Sequence, residues 1–484
     1  MDTPKWLFVL ILLLPASLQG QVSQPQPPKP LVFLHVTVID ATGAPPQPDR
    51  TVIVKDGRIF SVAKSDTVGI PAGADVIDAT GRYMIPGLWD MHVHIAFENW
   101  EPFIQTVYFP MLMANGVTGV RDMAGDMRVL LDLRRKSASG EILAPRMVIA
   151  GRELSWLPQD AGQFAVLHPI EGRHYVDQLA KAGVDFIKVQ DPLSRSVYFA
   201  VADEARLQKI PFVGHVPYSV TAAEASAAGQ RSFEHLIGIP EGCSTKEREL
   251  KHAESVAMVR FDPSWHDAER EFFSAFETYD AEKAAALFAL LKRDNTWQVP
   301  TLVEERITHT ISGGRWETDE RLRYMPEVAL RWWDTYMSGL TDGRTAEDIA
   351  DGKKYFEREL DLARAMHRAG IKFLAGTDAL GQPYTFPGFS LHEELELLVK
   401  AGLTPLEAIQ TATRNPAEFL GLLDSQGTVE KGKIADLVVL DANPLDDIRN
   451  TRSIVGVVVH GHYLPKERLK QMLSDAETAA HSAR

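Results

Sequence analysis

Short apolar runs, broken by glycine, proline and aspartate turns, occupy both ends of the chain. Residues 31–85 are rich in β-branched side chains, and the Asp56-Gly57 pair is typical of a hairpin turn. The same pattern returns in residues 427–465. Each piece alone has too few strands to bury a core, so we expect both chain ends to form one small β-sandwich together. The runs are LVFLHVTVID, RTVIVKDGRIFSVA, ADVIDA, GTVEKGKIADLVVLDANP and SIVGVVVHGHYLP.

The block between these ends alternates apolar runs with helical patterns, of which residues 175–182 and 196–209 are examples. Counting the run that ends at His92, eight strand-like runs are present, which is the number of strands in a (β/α)8 barrel. We therefore predict an α/β fold with a TIM-like barrel. The other seven runs are residues 117–123, 145–151, 185–190, 210–216, 232–236, 297–303 and 371–378.

Two intervals in this block are much longer than one crossover helix requires. Residues 237–296 and 304–365 are rich in aromatic and charged side chains, which indicates helical insertions at the mouth of the barrel. Lids, dimer elements and plain surface decoration are three interpretations that the sequence leaves open.

The first residues have the pattern of a secretory signal peptide. Lys5 precedes an apolar run, Trp6–Leu14, that is about half the length needed to cross a bilayer. We expect an exported protein, periplasmic or secreted, with no stable membrane anchor after signal removal. The expected division of the chain is signal peptide 1–20, linker 21–30, N-terminal sandwich segment 31–86, barrel 87–425, C-terminal sandwich segment 426–468 and C-terminal tail 469–484.

The overall charge and the cysteine content restrict the chemistry. The 484 residues carry a formal net charge of −14 with no offsetting basic run, which argues against nucleic acid as a partner. Cys243 is the only cysteine, so a disulfide framework and a thiolate metal cluster are both excluded. A metal site in this chain would have to use nitrogen and oxygen ligands.

Such ligands occur where predicted strands end. Alternation on a strand directs His92 and His94 to the same face. His215, His235 and Asp378 each close a later apolar run, and in a barrel the carboxyl ends of the strands meet at one face. The pair His460 and His462 has the same spacing as the first pair, but no other candidate ligands lie near it in the sequence, so we interpret it as structural.

Lys188 ends another of these runs, where a cation beside a metal would be repelled. One interpretation is an ion pair with Asp191 or another acid. The other is a neutral amine that takes up CO2 to form a carbamate. The residues alone do not decide between them.

Together these motifs make the chain resemble the amidohydrolase superfamily of metal-dependent hydrolases. More narrowly, it is similar to the branch that contains imidazolonepropionase-like enzymes, Xaa-Pro dipeptidases and N-acyl amino acid hydrolases. The resemblance covers about residues 31–465. Its motifs are MIPGLWDMHVHI, GVTGVRDM, GVDFIKVQ, GHVPYS, FEHL, AGTD and TRNPAEFLGL with GTVEKGKIADLVVLD.

The resemblance implies a binuclear metal site, most simply with two Zn2+ ions. One ion would be held by His92, His94 and Asp378 and the other by His215 and His235, with carboxylated Lys188 and a hydroxide bridging them. The implied mechanism is hydroxide attack on an amide carbonyl, with Asp378 passing a proton to the leaving amine. Tyr218 matches a family position that faces the substrate.

The expected substrate is a small molecule or peptide of the dipeptide, Xaa-Pro or N-acyl amino acid type. Two alternatives are a mononuclear cyclic-amide hydrolase or deaminase, and an exported, non-catalytic metal- or peptide-binding protein. A homo-oligomer is also left open. The stretch GRELSWLPQDAGQF departs from the family pattern, so Arg152 and His168 are only weak candidates for substrate contacts. Asp122 and His392 match the pattern in supporting roles.

Overall fold

A computed structural model describes residues 29–96, 100–156, 162–260, 273–310, 318–341 and 344–482 of the chain. The predicted signal peptide, and all but the last two residues of the predicted linker, lie outside the described residues. No helix among the residues described has both the length and the apolar character needed to cross a membrane.

Both chain ends contribute strands to a single eight-stranded sheet. The strands are β1 Leu31–Val38, β2 Gln47–Lys55, β3 Arg58–Lys64, β4 Asp75–Asp78, β5 Tyr83–Pro86, β15 Leu437–Leu440, β16 Ile454–Val459 and β17 His462–Pro465. Their order is β17-β16-β15-β5-β1-β2-β3, with β4 paired to β1. Asp56 and Gly57 both have positive φ, 52° and 70°, and form the predicted hairpin turn between β2 and β3.

The junction between the two ends is β5, which runs parallel to β1 and antiparallel to β15. Apolar side chains from both ends bury each other on this sheet, including Phe33, Met84, Leu437 and Val458. The prediction that the two ends build one β-layer is confirmed, whereas its folding as a sandwich stays a prediction.

The central block contains short parallel strands in two sheets. The strands are β6 Leu88–Val93, β7 Val117–Asp122, β8 Arg146–Ile149, β9 Glu153–Ser155, β10 Gln163–Ala165, β11 Ile187–Val189, β12 Phe212–Gly214, β13 Ser232–Glu234 and β14 Trp297–Val299. One sheet has the order β6-β7-β8 and the other β10-β9-β11-β12-β13-β14. The pair β9 and β10 lies in the stretch that departs from the family pattern, and neither strand was predicted.

The eighth predicted strand, residues 371–378, is not a continuous strand. It makes an isolated parallel bridge to β14 at Phe373, and the adjoining Ala379 makes another to β6. Backbone hydrogen bonds from Leu374 to Gln298 and from Met91 to Ala375, both 2.9 Å, connect this segment to both sheets. The segment therefore lies between β14 and β6, as the last strand of a barrel would, while closure of the barrel stays a prediction.

Helices fill the connections and both predicted insertions. The segment predicted as a C-terminal tail forms the helix Lys466–Ser482, which buries Leu469, Met472, Ala476 and Ala480. The predicted helices 175–182 and 196–209 correspond to Pro169–Ala182 and Arg195–Gln208. Further α-helices in the described residues include Phe109–Ala114, Met127–Ser139, Ala222–Ala227, Ile239–Gly242, Glu247–Arg260, Ala281–Arg293, Leu302–Thr310, Glu327–Thr341, Ala346–Arg368, Phe389–Lys400, Pro405–Thr411 and Arg414–Phe419.

Candidate metal centre

His92 and His94, at the end of β6, meet Asp378 from the segment after residue 371. The Nε2 atoms of the two histidines lie 3.2 and 3.1 Å from Asp378 Oδ1. Asp378 has a positive φ of 57°, and its backbone N–H donates to the carbonyl of His92 at 2.8 Å. A Cβ on Gly376 would lie 2.8 Å from Cβ of His92, so the close approach of the two segments requires glycine there.

His215 and His235 lie beside this pair. The ring of His235 is 4.6 Å from that of His92 and 5.0 Å from that of His215. Nδ1 of His215 is 3.0 Å from Asp191 Oδ1, and Nδ1 of His235 is 2.7 Å from Thr301 Oγ1. These contacts fix the orientation of both rings and leave each Nε2 available to a ligand.

Lys188 is fully buried, and its Nζ has no hydrogen-bond partner among the described residues. The pairing with Asp191 that the sequence left open is not seen, since Asp191 bonds to His215 and to Tyr218 instead. A Cβ on Gly214 would lie 2.9 Å from Cδ of Lys188, so the lysine passes directly over the β12 backbone.

The six predicted ligands therefore line one cavity of about 710 Å3, together with Tyr218. Donor atoms of His92, His235 and Asp378 lie within 4.8 Å of one another, a spacing that suits a divalent cation. Nε2 of His92 is buried without a hydrogen-bond partner among the described residues, as is Nζ of Lys188. Buried polar atoms are rarely left unsatisfied, so the residues present fit a metal.

The electrostatics of the cavity favour neutral imidazoles at His92 and His235 and ionised carboxylates at Asp378 and Asp191. At His94, burial lowers the pKa, but contact with Asp378 outweighs it and raises the pKa overall. Burial and neighbouring positive charges hold the pKa of His92 and of His235 well below its ordinary value, so both are neutral bases. Burial raises the pKa of Asp378, but contact with His94 outweighs it and lowers the pKa overall. Burial likewise opposes the effect of His215 on Asp191, whose pKa falls to about 2.

A buried network that the sequence interpretation missed supports His92. Glu234 Oε2 accepts hydrogen bonds from His92 Nδ1 at 3.0 Å and from Arg121 Nη2 at 2.8 Å. Ser232 Oγ donates to Glu234 Oε1 at 2.5 Å. All four side chains are fully buried. In the sequence, the sign of this network was the acid Glu234, which stands in an apolar run directly before His235.

Other candidates lie away from the cavity or support it indirectly. Asp122 Oδ2 accepts from the backbone N–H of Ile95 at 2.7 Å, just after the His92–His94 pair. The imidazole of His392 is buried between Thr451 and the carbonyl of Asn115. The weak candidates Arg152, which is stacked on Phe164, and His168, at the start of a helix, do not line the cavity. The buried Cys243 and the pair His460 and His462, which we interpreted as structural, do not line it either.

The second insertion covers the centre. Helix Leu302–Thr310 contributes Glu304, Glu305 and His309 to the cavity wall. The next two helices contribute further lining residues, which are Val328, Trp332, Tyr336, Leu340, Tyr355 and Glu359. The acids among these residues were not predicted. The insertion therefore forms part of the cavity wall, while its roles as a lid or as a dimer element stay predictions.

Comparison with known proteins agrees with this geometry. Residues 83–464 match the model of the amidohydrolase family. The chain is 25% identical over 406 residues to an imidazolonepropionase of Klebsiella pneumoniae strain 342, covering 81% of this chain and 86% of the relative. A structure from Bifidobacterium longum, provisionally described as a prolidase, is 26% identical with a TM-score of 0.66, covering 93% and 99%. A Xaa-Pro dipeptidase with bound methionine is 20% identical with a TM-score of 0.65, covering 90% and 100%.

Proposed function

From the premise that the chain belongs to the amidohydrolase family and hydrolyses carbon–nitrogen bonds, we propose that it is a binuclear metal enzyme. Its proposed reaction is cleavage of the amide bond of a dipeptide, Xaa-Pro or N-acyl amino acid substrate. The observation that carries the proposal is the convergence of four histidines, Asp378 and Lys188 in one cavity, where Lys188 Nζ has no hydrogen-bond partner in the part of the chain that the structure describes. The non-catalytic alternative is set aside because the chain is an enzyme.

In this proposal two divalent cations, most simply Zn2+, are held by the six ligands, with Lys188 carboxylated by CO2. Bound there, they supply Lewis-acid activation of a water molecule and of the substrate carbonyl. Lys188 is buried without an ion pair to any described residue, which supports a modified lysine, because an ammonium group without a counter-charge is costly to bury.

The chain's own side chains perform the remaining steps. Asp378 accepts a proton at its carboxylate and delivers it to the leaving nitrogen, a role that its lowered pKa and position beside His94 support. Tyr218 donates its one hydroxyl proton to the substrate carboxylate or the developing oxyanion when substrate is bound, in place of the neighbouring carboxylate of Asp191. The helices of the second insertion exclude water from the centre.

Two further proposals concern the molecule that carries this site. The barrel is closed through residues 371–378, a proposal that the bridges to β14 and β6 support. The protein is exported, a proposal that rests on the signal-peptide pattern of residues 1–20. Accordingly, we expect the mature protein to begin near Gln21, as N-terminal sequencing after secretion in a bacterial host would determine.

A second candidate is a mononuclear cyclic-amide hydrolase or deaminase. The similarity to proteins named imidazolonepropionase favours it. In that enzyme Lys188 stays unmodified, and a single metal ion suffices.

Metal analysis distinguishes the two candidates. We expect about two equivalents of metal per chain in the purified protein, and a loss of metal in Lys188→Ala. His462→Ala, at an exposed position outside the cavity, is the matched control and should retain two equivalents. One equivalent that is insensitive to Lys188→Ala would favour the mononuclear enzyme.

Turnover then tests the substrate class. The metal-loaded protein is assayed against Xaa-Pro dipeptides, other dipeptides, N-acyl amino acids and cyclic amides. We expect hydrolysis of the linear amides and its loss in Asp378→Asn. Turnover of cyclic amides alone would contradict the proposal.

A further inference from the structure

One side of the cavity wall is acidic and is not used by the proposed mechanism. Glu304, Glu305 and Glu359 come from the second insertion, and Glu241 from the first. We call these four residues the acidic cluster. Each is buried, with between 1% and 8% of its surface exposed. Carboxylates this deeply buried require compensation.

The described residues supply little compensation. Neither carboxylate oxygen of Glu241 receives a hydrogen bond from a described donor, and Oε2 of Glu359 receives none either. The nearest described basic group is the imidazole of His309, whose Nε2 lies 3.4 Å from Glu305 Oε2 and 3.9 Å from Glu359 Oε1, so one imidazole accompanies the four carboxyl groups. Lys251 lies 3.2 Å from Glu254, and Arg344 donates to the carbonyl of Thr308 at 3.1 Å. Burial and the charge of Glu305 raise the pKa of Glu359 well above its ordinary value. A positively charged ligand would relieve this repulsion.

The spacing of the cluster suits a single cationic nitrogen. Donor atoms of Glu305, His309 and Glu359 lie within 4.8 Å of one another. A nitrogen between the two carboxylates could lie about 2.8 Å from an oxygen of each. Oε2 of Glu359 is a buried acceptor in the cavity wall, and no described residue donates a hydrogen bond to it. This acceptor without a described donor indicates a binding site for a donor from a ligand.

Aromatic side chains favour an organic cation over a metal ion. The ring of Tyr355 lies 4.6 Å from that of His309, and Trp332 and Tyr336 pack together at 5.3 Å. All three aromatic residues line the same cavity as the acidic cluster. Aromatic faces attract ammonium and guanidinium groups, and their apolar surface accommodates the alkyl chain that carries such a group.

The cluster is also close to the catalytic centre. Glu304 Oε2 is 3.7 Å from Nδ1 of His235, so the acidic wall begins directly behind one of the proposed metal ligands. An alkyl chain of a few bonds would connect a scissile amide at the centre to a cation at the cluster.

We propose that the cavity selects amide substrates that carry an ammonium or guanidinium group, which binds between Glu305 and Glu359 while the scissile amide lies at the metal centre. This inference rests on the proposed function and identifies its substrate class. The cation could be the side chain of a lysine or arginine residue or the α-ammonium group of a peptide, and the test separates these sources.

Matched substrate pairs test the proposal on the metal-loaded enzyme. Ala-Lys is compared with Ala-norleucine, and Lys-Ala is compared with norleucine-Ala. The two members of each pair differ in the ammonium group of the side chain. Each peptide is assayed both with a free and with an acetylated N-terminus. At one position we expect kcat/KM to be at least tenfold higher for the member that carries the ammonium group. Equal values of kcat/KM within every pair, and for each peptide with a free and with an acetylated N-terminus, would overturn the proposal.

Variants then assign the preference to the cluster. In Glu359→Gln and in Glu305→Gln, which keep the size of the side chain, we expect the preference to fall below threefold. Glu357→Gln is the matched control, because Glu357 is exposed on the same helix as Glu359. A preference that persists in both cluster variants would place cation recognition elsewhere and overturn the proposal.

Two further measurements separate the failure of this inference from that of the proposed function. Calorimetric titration compares 1,5-diaminopentane with 1,5-pentanediol. Binding of the diamine that weakens at least tenfold in Glu359→Gln supports the inference even if no peptide is cleaved. A third equivalent of metal that is lost in Glu359→Gln, with no preference for the diamine, would overturn it in favour of a metal site.

Discussion

At the residue scale, the orientation of His92 depends on the charge of a single buried glutamate. Glu234 accepts from both His92 and Arg121, so its replacement leaves a buried guanidinium group without a counter-charge. For Glu234→Gln we expect a loss of metal affinity of about 10–100-fold and a destabilisation of about 3 kcal/mol or more. Chelator competition and denaturant unfolding measure the two effects.

Ser232→Ala is the control for this network. It removes the donor to Glu234 Oε1 but retains the ion pair with Arg121, so the loss of metal affinity should be clearly smaller. Equal losses in the two variants would show that the charge of Glu234 is not the important feature.

The residues proposed as metal ligands could be located in the sequence because they lie at the ends of apolar runs. His215, for example, follows a run that becomes β12, and His235 follows one that becomes β13. Glu305 and Glu359 were not predictable, because acids on a helix rich in charged residues are typical of a solvated face. Only the packing of two insertion helices over the cavity buries them.

At the scale of elements, the approach of two strands at Lys188 requires a residue without a side chain. Gly214 ends β12 with φ at +125°, and a Cβ there would lie 2.2 Å from the carbonyl oxygen of Val189. Gly214→Ala should therefore separate β11 from β12, lower the melting temperature and reduce the metal content. Gly69→Ala is the control, since Gly69 is exposed and a Cβ added there would have no atom within 4 Å.

A buried acid, Glu394, lies at the start of the helix Leu302–Thr310 and makes the stability of the protein depend on pH. Glu394 Oε2 accepts from the backbone N–H of Val303 at 2.8 Å, at the first turn of helix Leu302–Thr310. Burial raises its pKa from 4.5 to about 8, so the folded state keeps a proton that the unfolded state loses. The contribution of this proton to stability is fully present below pH 4.5 and is lost as the pH rises to about 8.

The side chain of Glu394→Gln stays neutral over this range. The free energy of unfolding of this variant, relative to that of the wild type, should therefore increase between pH 4.5 and 8 and then level off. The expected increase is of the order of a few kcal/mol. Denaturant unfolding at several pH values measures the difference. Glu357→Gln controls for the loss of one negative charge at an exposed site. A difference that does not vary with pH would contradict the assigned pKa.

Where strands are short, the strands themselves were harder to predict from the sequence than the residues of the site. The run of residues 371–378 has the composition of a strand, yet it makes only isolated bridges, and its backbone turns at Asp378, which has positive φ. The sequence cannot show this turn, since it is imposed by contact with His92 rather than by local propensity. Three-residue strands such as β11 likewise depend on their neighbours more than on their own composition.

At the scale of the whole molecule, the two chain ends should stabilise each other. β5 lies between β1 and β15, so a chain that ends at Ser425 loses β15–β17 and leaves Met84 and Ile85 without their partners. It also loses the buried side chains of Leu437–Leu440, each worth about 1.5–3 kcal/mol. We expect this chain to aggregate, as size-exclusion chromatography and limited proteolysis would detect.

A chain that ends at Pro465 separates this effect from that of the last helix. It keeps the eight-stranded sheet and loses only Lys466–Ser482 and the two residues that follow, and the buried side chains of this helix pack on the central block. This chain should remain soluble and bind metal, with a lower melting temperature than the full chain. If the chain ending at Ser425 were equally soluble and equally able to bind metal, the central block would fold on its own, and the joint sheet would not contribute to forming the site.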